Sequence, residues 1–126
     1  MESEKMRIVY FGHANAYDYQ EMYRVLIASN ISKKYELILP HLNNPNKDNS
    51  KEIDRCDLVV AEVSLPSTGL GIELGRIFNK KPILCIHRKG VMVSGALKHI
   101  TKEFMDYKDL PDMVVKLEDY LGRKFK

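Results

Sequence analysis

The chain has 126 residues, enough for one hydrophobic core but not for two. Its 20 Lys and Arg against 17 Asp and Glu leave a formal charge of +3, much of it in the terminal GRKFK; that balance argues against a nucleic-acid surface and suits a small anionic ligand. No apolar stretch approaches the roughly 18 residues of a membrane helix, and the opening MESEKMRIVYF carries acids where a signal peptide is basic and then apolar, so a soluble, cytoplasmic protein without membrane contact is expected.

The first buried strand is RIVYF, Arg7 to Phe11. A helix follows, with Tyr19, Met22, Tyr23, Leu26 and Ile27 at helical spacing and Asp18 and Glu21 placed as a capping box. ELILP (Glu36 to Pro40) reads as the second strand, and a short helix begins after Asn49 with Glu52 three residues on. The third strand is DLVVAEV, Asp57 to Val63; the helix after it carries Leu70, Leu74, Ile77 and Phe78 on one stripe. PILCIH (Pro82 to His87) and the weaker EFMDY (Glu103 to Tyr107) complete the strands. A last helix runs from Asp109 through Met113, Val114, Leu117 and Leu121. Near-continuous apolar strands alternating with amphipathic helices predict an α/β fold, a three-layer, doubly wound, Rossmann-like domain on a five-stranded parallel sheet. Cys56 and Cys85 lie in apolar surroundings without metal-ligand spacing, so buried thiols are expected in preference to a disulfide or a metal site.

Ligands of such sheets bind beyond the carboxyl ends of the strands. Four loops lie there: GHANAY, HLNNPNKDNS, SLPSTGLG and HRKGVMVSG, which hold most of the Gly, Asn and Ser. In the third, Gly69 and Gly71 stand where a strand gives way to a helix, a place where glycine permits positive φ and a close ligand, and where free N–H groups favour an anion. By spacing alone the segment reads first as a capped turn with Ser67 or Thr68 as N-cap. Glu73 falls at the edge of the apolar stripe, so its carboxylate overhangs the strand ends; the alternative is a solvated pair with Arg76. Glu62, near the end of the third strand, competes with it.

The segment DLVVAEVSLPSTGLGIELGR resembles the nucleoside 2-deoxyribosyltransferase family, and within it the 2'-deoxynucleoside 5'-monophosphate N-hydrolases; RIVYFGH and KPILCIHRKGVMVSGAL extend the likeness. The resemblance implies that Glu73 is a nucleophile that attacks C1' of the sugar, displaces the base and forms a covalent glycosyl ester. It implies no cofactor and no metal. Ser67 and Ser94, where base-exchanging transferases place an acid and an amide, point to the branch that accepts a 5'-phosphate, since a hydroxyl donates to phosphate and a carboxylate repels it. In that branch the second serine comes from the neighbouring subunit, which implies a homodimer. Tyr10, Gly12 and His13 match the loop that lines the sugar and phosphate pocket. Three positions depart from the pattern. Asn49 stands where the family has an acid, with Asp48 beside it to take that role, or serves as a plain helix cap. The arginine of the first loop is absent, leaving His13, Asn15, Arg88 or Lys89 to meet a phosphate, and the second loop is short. Base exchange between deoxynucleosides and a non-catalytic nucleotide-binding module are the alternatives to hydrolysis.

Overall fold

The computed structural model describes residues 5–42 and 49–126. Strands β1 (Ile8–His13), β2 (Glu36–Ile38), β3 (Leu58–Glu62), β4 (Ile83–Arg88) and β5 (Glu103–Tyr107) form one sheet of order β2-β1-β3-β4-β5, with every neighbouring pair parallel. Helices α1 (Tyr19–Ala28), α2 (Ile31–Lys34), α3 (Ser50–Arg55), α4 (Thr68–Ile77) and α5 (Leu110–Lys124) connect or flank them, with a 3₁₀ turn at Gly95–His99.

The period-two alternation of the strands explains the layering. Val9 and Phe11 of β1, with Leu58, Val60, Leu84 and Ile86, pack against the Met22 and Leu26 stripe of α1 and the Met113, Leu117 and Leu121 stripe of α5. The alternate residues Tyr10, Val59, Ala61 and Cys85 face Ile53 of α3 and Leu70, Leu74 and Ile77 of α4. Both faces of the sheet are thus covered, which is why the strands are apolar almost throughout. Cys56 and Cys85 are buried and free, and burial pushes the Cys85 thiol up to about 12.

Several local expectations are corrected. Asp18 makes no capping bond and Glu21 instead pairs with Arg24 at 2.6 Å. Ile27 and Phe78 fall on the exposed sides of their helices. The four residues of α2 carried too few positions for any periodicity, yet Ile31 is completely buried there.

The chain leaves β1 outward to β2, then returns past it to β3. The connections on either side of β1 and β3 therefore diverge to opposite faces, and a crevice opens where they part.

Candidate functional site

The crevice is a cleft of about 350 Å³ over the carboxyl ends of β1 and β2 and the start of α4. Of the residues expected at a site, Tyr10, Gly12, His13, Asn15, Asn49, Ser67, Gly69 and Glu73 all line it. Asp48 lies outside the described residues. Gly71 and Ser94 line a neighbouring, largely apolar cavity of about 400 Å³ with Met92, Val93 and Leu97.

Ser67 caps α4: its extended backbone precedes the helix and its Oγ accepts from the Leu70 amide at 3.1 Å. The Gly71 amide bonds to the Ser67 carbonyl at 3.0 Å. The amides of Thr68 and Gly69 are then the first-turn donors that no helical carbonyl can reach. Gly69 and Gly71 both keep negative φ; Gly90 is the glycine with positive φ, at 86°. A Cβ on Gly69 or Gly71 would meet nothing within 4 Å. The expected conformational role of these two glycines is corrected accordingly: they leave open space at the helix start.

A close contact between protein atoms occurs at Gly12. A Cβ there would stand 3.0 Å from Leu70 Cδ1 and 3.3 Å from Glu73 Oε1. Glu73 is half-buried beside it and accepts a hydrogen bond from Tyr10 Oη at 3.3 Å. Burial raises the Glu73 pKa above its ordinary value, against the lowering by the Tyr10 hydrogen bond and the attraction of Arg76. Tyr10 is itself pushed well above the usual tyrosine range, first by burial and then by the Glu73 charge, so it stays a donor. Gly12→Ala is expected to displace the Glu73 carboxylate by a few tenths of an ångström and to cut any turnover that uses it by about 10–100-fold. Its thermal melt should move little by comparison, because Leu70 sits at the cleft edge; steady-state kinetics beside a melting curve checks this.

His13 differs from expectation. Its Nδ1 faces the Ala14 carbonyl at 2.9 Å and its Nε2 faces Tyr23 Oη at 2.7 Å. The carbonyl can only accept, so Nδ1–H donates and Nε2 accepts from the phenol. Tyr23 Oη in turn accepts from the His41 amide at 3.1 Å. Burial lowers the His13 pKa. A neutral ring with both nitrogens engaged has no N–H for an anion, so His13 ties the first loop to α1 and to His41. Arg88 is also otherwise placed: its guanidinium lies 4.8 Å above the Tyr17 ring, next to the first loop and outside the cleft lining. Asn49 opens α3 through its carbonyl, which accepts from the Ile53 amide at 3.0 Å, but its side chain makes no capping bond. Asn49 thus stands at the cap position of α3 without a side-chain cap.

Glu62 turns to the opposite face of the sheet. It is 1% exposed and accepts from the Ser64 amide at 2.7 Å, from Ser64 Oγ at 2.8 Å and from Tyr107 Oη. It does not line the cleft. Pro40 and His41, just beyond β2, do line it. Their only signal in the sequence was their place after an apolar strand. No cluster of three or more His, Cys, Asp or Glu suited to a metal occurs among the described residues, and no described helix is long and apolar enough to cross a membrane.

No family model matches the chain. It is 42% identical over 79 residues to the 5-hydroxymethyl-dUMP N-hydrolase of Branchiostoma floridae, a match that covers 56% of this chain and 72% of that protein. It is 36% identical over 61 residues to a protein of Methanosarcina mazei provisionally named 2'-deoxynucleoside 5'-phosphate N-hydrolase 1, across 48% of this chain and 38% of the relative. The chain therefore spans well under half the length of that second relative. The structure superposes on the CMP N-glycosidase of Clostridium botulinum with a TM-score of 0.66 at 20% identity, covering 89% of this chain and 99% of that one, which shows a shared fold.

Proposed function

Because the chain belongs to the 2'-deoxynucleoside 5'-phosphate N-hydrolase family, we propose that it is a single-domain cytoplasmic N-glycosidase that hydrolyses (deoxy)nucleoside 5'-monophosphates to free base and sugar 5-phosphate. The observation that carries this reading is the half-buried Glu73 carboxylate, held by Tyr10 against the bare backbone of Gly12 in a cleft that ends at the α4 amides.

The sugar rests on Gly12, with C1' facing Glu73. The 5'-phosphate lies at the start of α4, where the Ser67 hydroxyl and the Thr68 and Gly69 amides donate and the helix dipole favours an anion. Ionised Glu73 attacks C1' as the bond to the base nitrogen breaks, and the bonding pair leaves with the base. Water then attacks C1' of the glycosyl ester, releasing sugar phosphate and restoring the carboxylate, as in retaining glycosidases. Tyr10 holds the carboxylate in line. Asn15 and Asn49, as neutral amides, donate to sugar hydroxyls or to base carbonyls.

Ser94 lines a different cavity from Glu73 in its own chain, and Met92 beside it is 96% exposed. This supports a homodimer in which Ser94 of one copy reaches the phosphate of the other. If so, Ser94→Ala raises KM about tenfold, the loss of one charged hydrogen bond. With substrate well below KM, an equal mixture of Ser94→Ala and Glu73→Gln chains then shows about a quarter of wild-type kcat/KM, against about a twentieth without exchange, because half the dimers are mixed and one of their two sites is complete. A Ser94 acting within its own chain gives no such recovery.

The reading is tested by incubating the protein with ribo- and deoxynucleoside monophosphates and separating free base by chromatography, with a second base added in parallel. Base release without a new nucleoside is expected. A protein that stabilises thermally with nucleotide but releases nothing from any of them is a binding module, and the enzymatic reading fails.

A further inference from the structure

A base leaving C1' as an anion needs a proton, and the described cleft offers few groups to deliver one. Glu73 is the nucleophile. Tyr10 spends its proton on Glu73 and is too weak an acid. Both nitrogens of His13 are engaged, and the Asn15 and Asn49 amides do not ionise. His41 is the titratable group that is left.

Its placement fits the task. His41 stands on the β2 side of the cleft, whereas Glu73 comes from the α4 side, so a sugar seated on Gly12 lies between them. A retaining displacement needs the nucleophile and the leaving-group acid on opposite sides of C1'. The His41 backbone is fixed by Tyr23 Oη. Its ring is held edge-on against His13 at 4.8 Å and against Tyr19 at 5.1 Å, with interplanar angles of 76° and 90°. Among the described residues no side chain or backbone group occupies either ring nitrogen. A ring packed between two aromatic neighbours at the wall of the cleft is suited to proton transfer.

We infer that His41 is the acid that protonates the departing base, in place of the carboxylic acid for which Asn49 stands. This rests on the N-glycosidase reading above. Burial lowers the His41 pKa below its ordinary value, which makes its protonated form the stronger acid. As Glu73 Oε bonds to C1' and the C1'–N bond breaks, that protonated form gives its proton to the base, which leaves neutral. When water attacks C1' and the ester oxygen departs as the Glu73 carboxylate, His41 takes the proton of the water and is ready again. The sum is nucleotide plus water to base plus sugar phosphate.

The test compares leaving groups. Wild type, His41→Gln, His41→Asn and Asp48→Asn are assayed on the best nucleotide monophosphate of the panel and on the matching sugar 5-phosphate carrying 4-nitrophenolate at C1', a group that departs without a proton. Both His41 variants are expected to lose about 10²–10⁴ in kcat/KM on the nucleotide and to stay within about threefold of wild type in kcat/KM on the nitrophenyl compound, a ratio that reads formation of the glycosyl ester and not its later attack by water. A purely structural role lowers both substrates together and overturns the inference. So does an unchanged nucleotide rate, or a nucleotide-only loss in Asp48→Asn in place of His41. The Asn variant, monitored by its melting curve, serves if the Gln variant does not fold. A wild-type protein that releases base from no nucleotide overturns the enzymatic reading itself, and is told apart by that control.

Discussion

Glu73→Gln is expected to lower base release by a factor of about 10³ or more while leaving nucleotide binding intact. The amide matches the carboxylate in shape and keeps an oxygen for the Tyr10 hydroxyl, 3.3 Å away in the native protein, so the cleft stays in place. What it loses is the anionic oxygen that forms the bond to C1'. Chromatography of free base beside calorimetric binding of the unreacted nucleotide separates these effects; turnover within tenfold of wild type removes Glu73 from the chemistry. The same variant should melt higher than wild type at neutral pH. Burial lifts the folded-state pKa of Glu73 above its unfolded value, more than Tyr10 and Arg76 lower it. The folded protein therefore holds this proton more tightly than the unfolded chain does. The stability this supplies is fully present below the unfolded value of about 4.3. It is lost as pH rises through the folded value. Gln carries no such penalty, so its advantage in Tm is absent below the unfolded value and grows as pH rises through the folded one. A nucleophile that costs stability when ionised is a common trade at functional sites. Identical melting across the range contradicts this assignment.

Glu62→Ala is expected to do the reverse, lowering the melting temperature by about 10 °C and leaving turnover within about tenfold. Glu62 is buried and accepts from two Ser64 groups and from Tyr107. Tyr107 in turn meets Tyr17 Oη at 2.7 Å, and Ser64 Oγ accepts from the Arg88 amide at 2.8 Å. Burial, and then the Glu62 hydrogen bond, push the Tyr107 pKa far above its ordinary range, so this phenol remains a donor. Removing the carboxylate leaves donors from β5 and the loop after β3 without their acceptor in a place water does not reach. Such a loss costs about 2–4 kcal/mol. The network lies on the α1 and α5 face, whereas the Glu73 cleft draws on the α4 side. Thermal melts and kinetics at 20–25 °C below the variant's midpoint distinguish the roles of the two glutamates. A stable but inactive Glu62→Ala would exchange them.

The layered sheet was legible because burial on two faces leaves a strong trace: LVVA and ILCI are apolar at consecutive positions, and α5 repeats its stripe over four turns. Glu73 was legible for another reason. Its helix begins directly after a central strand, so the distance along the chain from strand end to carboxylate translates into a place in space. The Ser67 cap is equally local. The capping role expected of Asn49 and of Asp18 was not realised, because short polar side chains choose among nearby partners at little cost.

The sequence by itself thus determined what depends on neighbours along the chain: the alternation of strands and helices, the Ser67 turn and the reach of Glu73 over the sheet. Tertiary structure alone decided which loops meet. The order β2-β1-β3 brings the end of β2, and so His41, to the same cleft as α4. Closure of the first loop onto Tyr23 turned His13 inward. The chain's path after β4 put Ser94 in a different cavity from Glu73. Whether a histidine or a serine faces a ligand is set by contacts between segments tens of residues apart, and no local pattern of charge or hydropathy encodes those contacts.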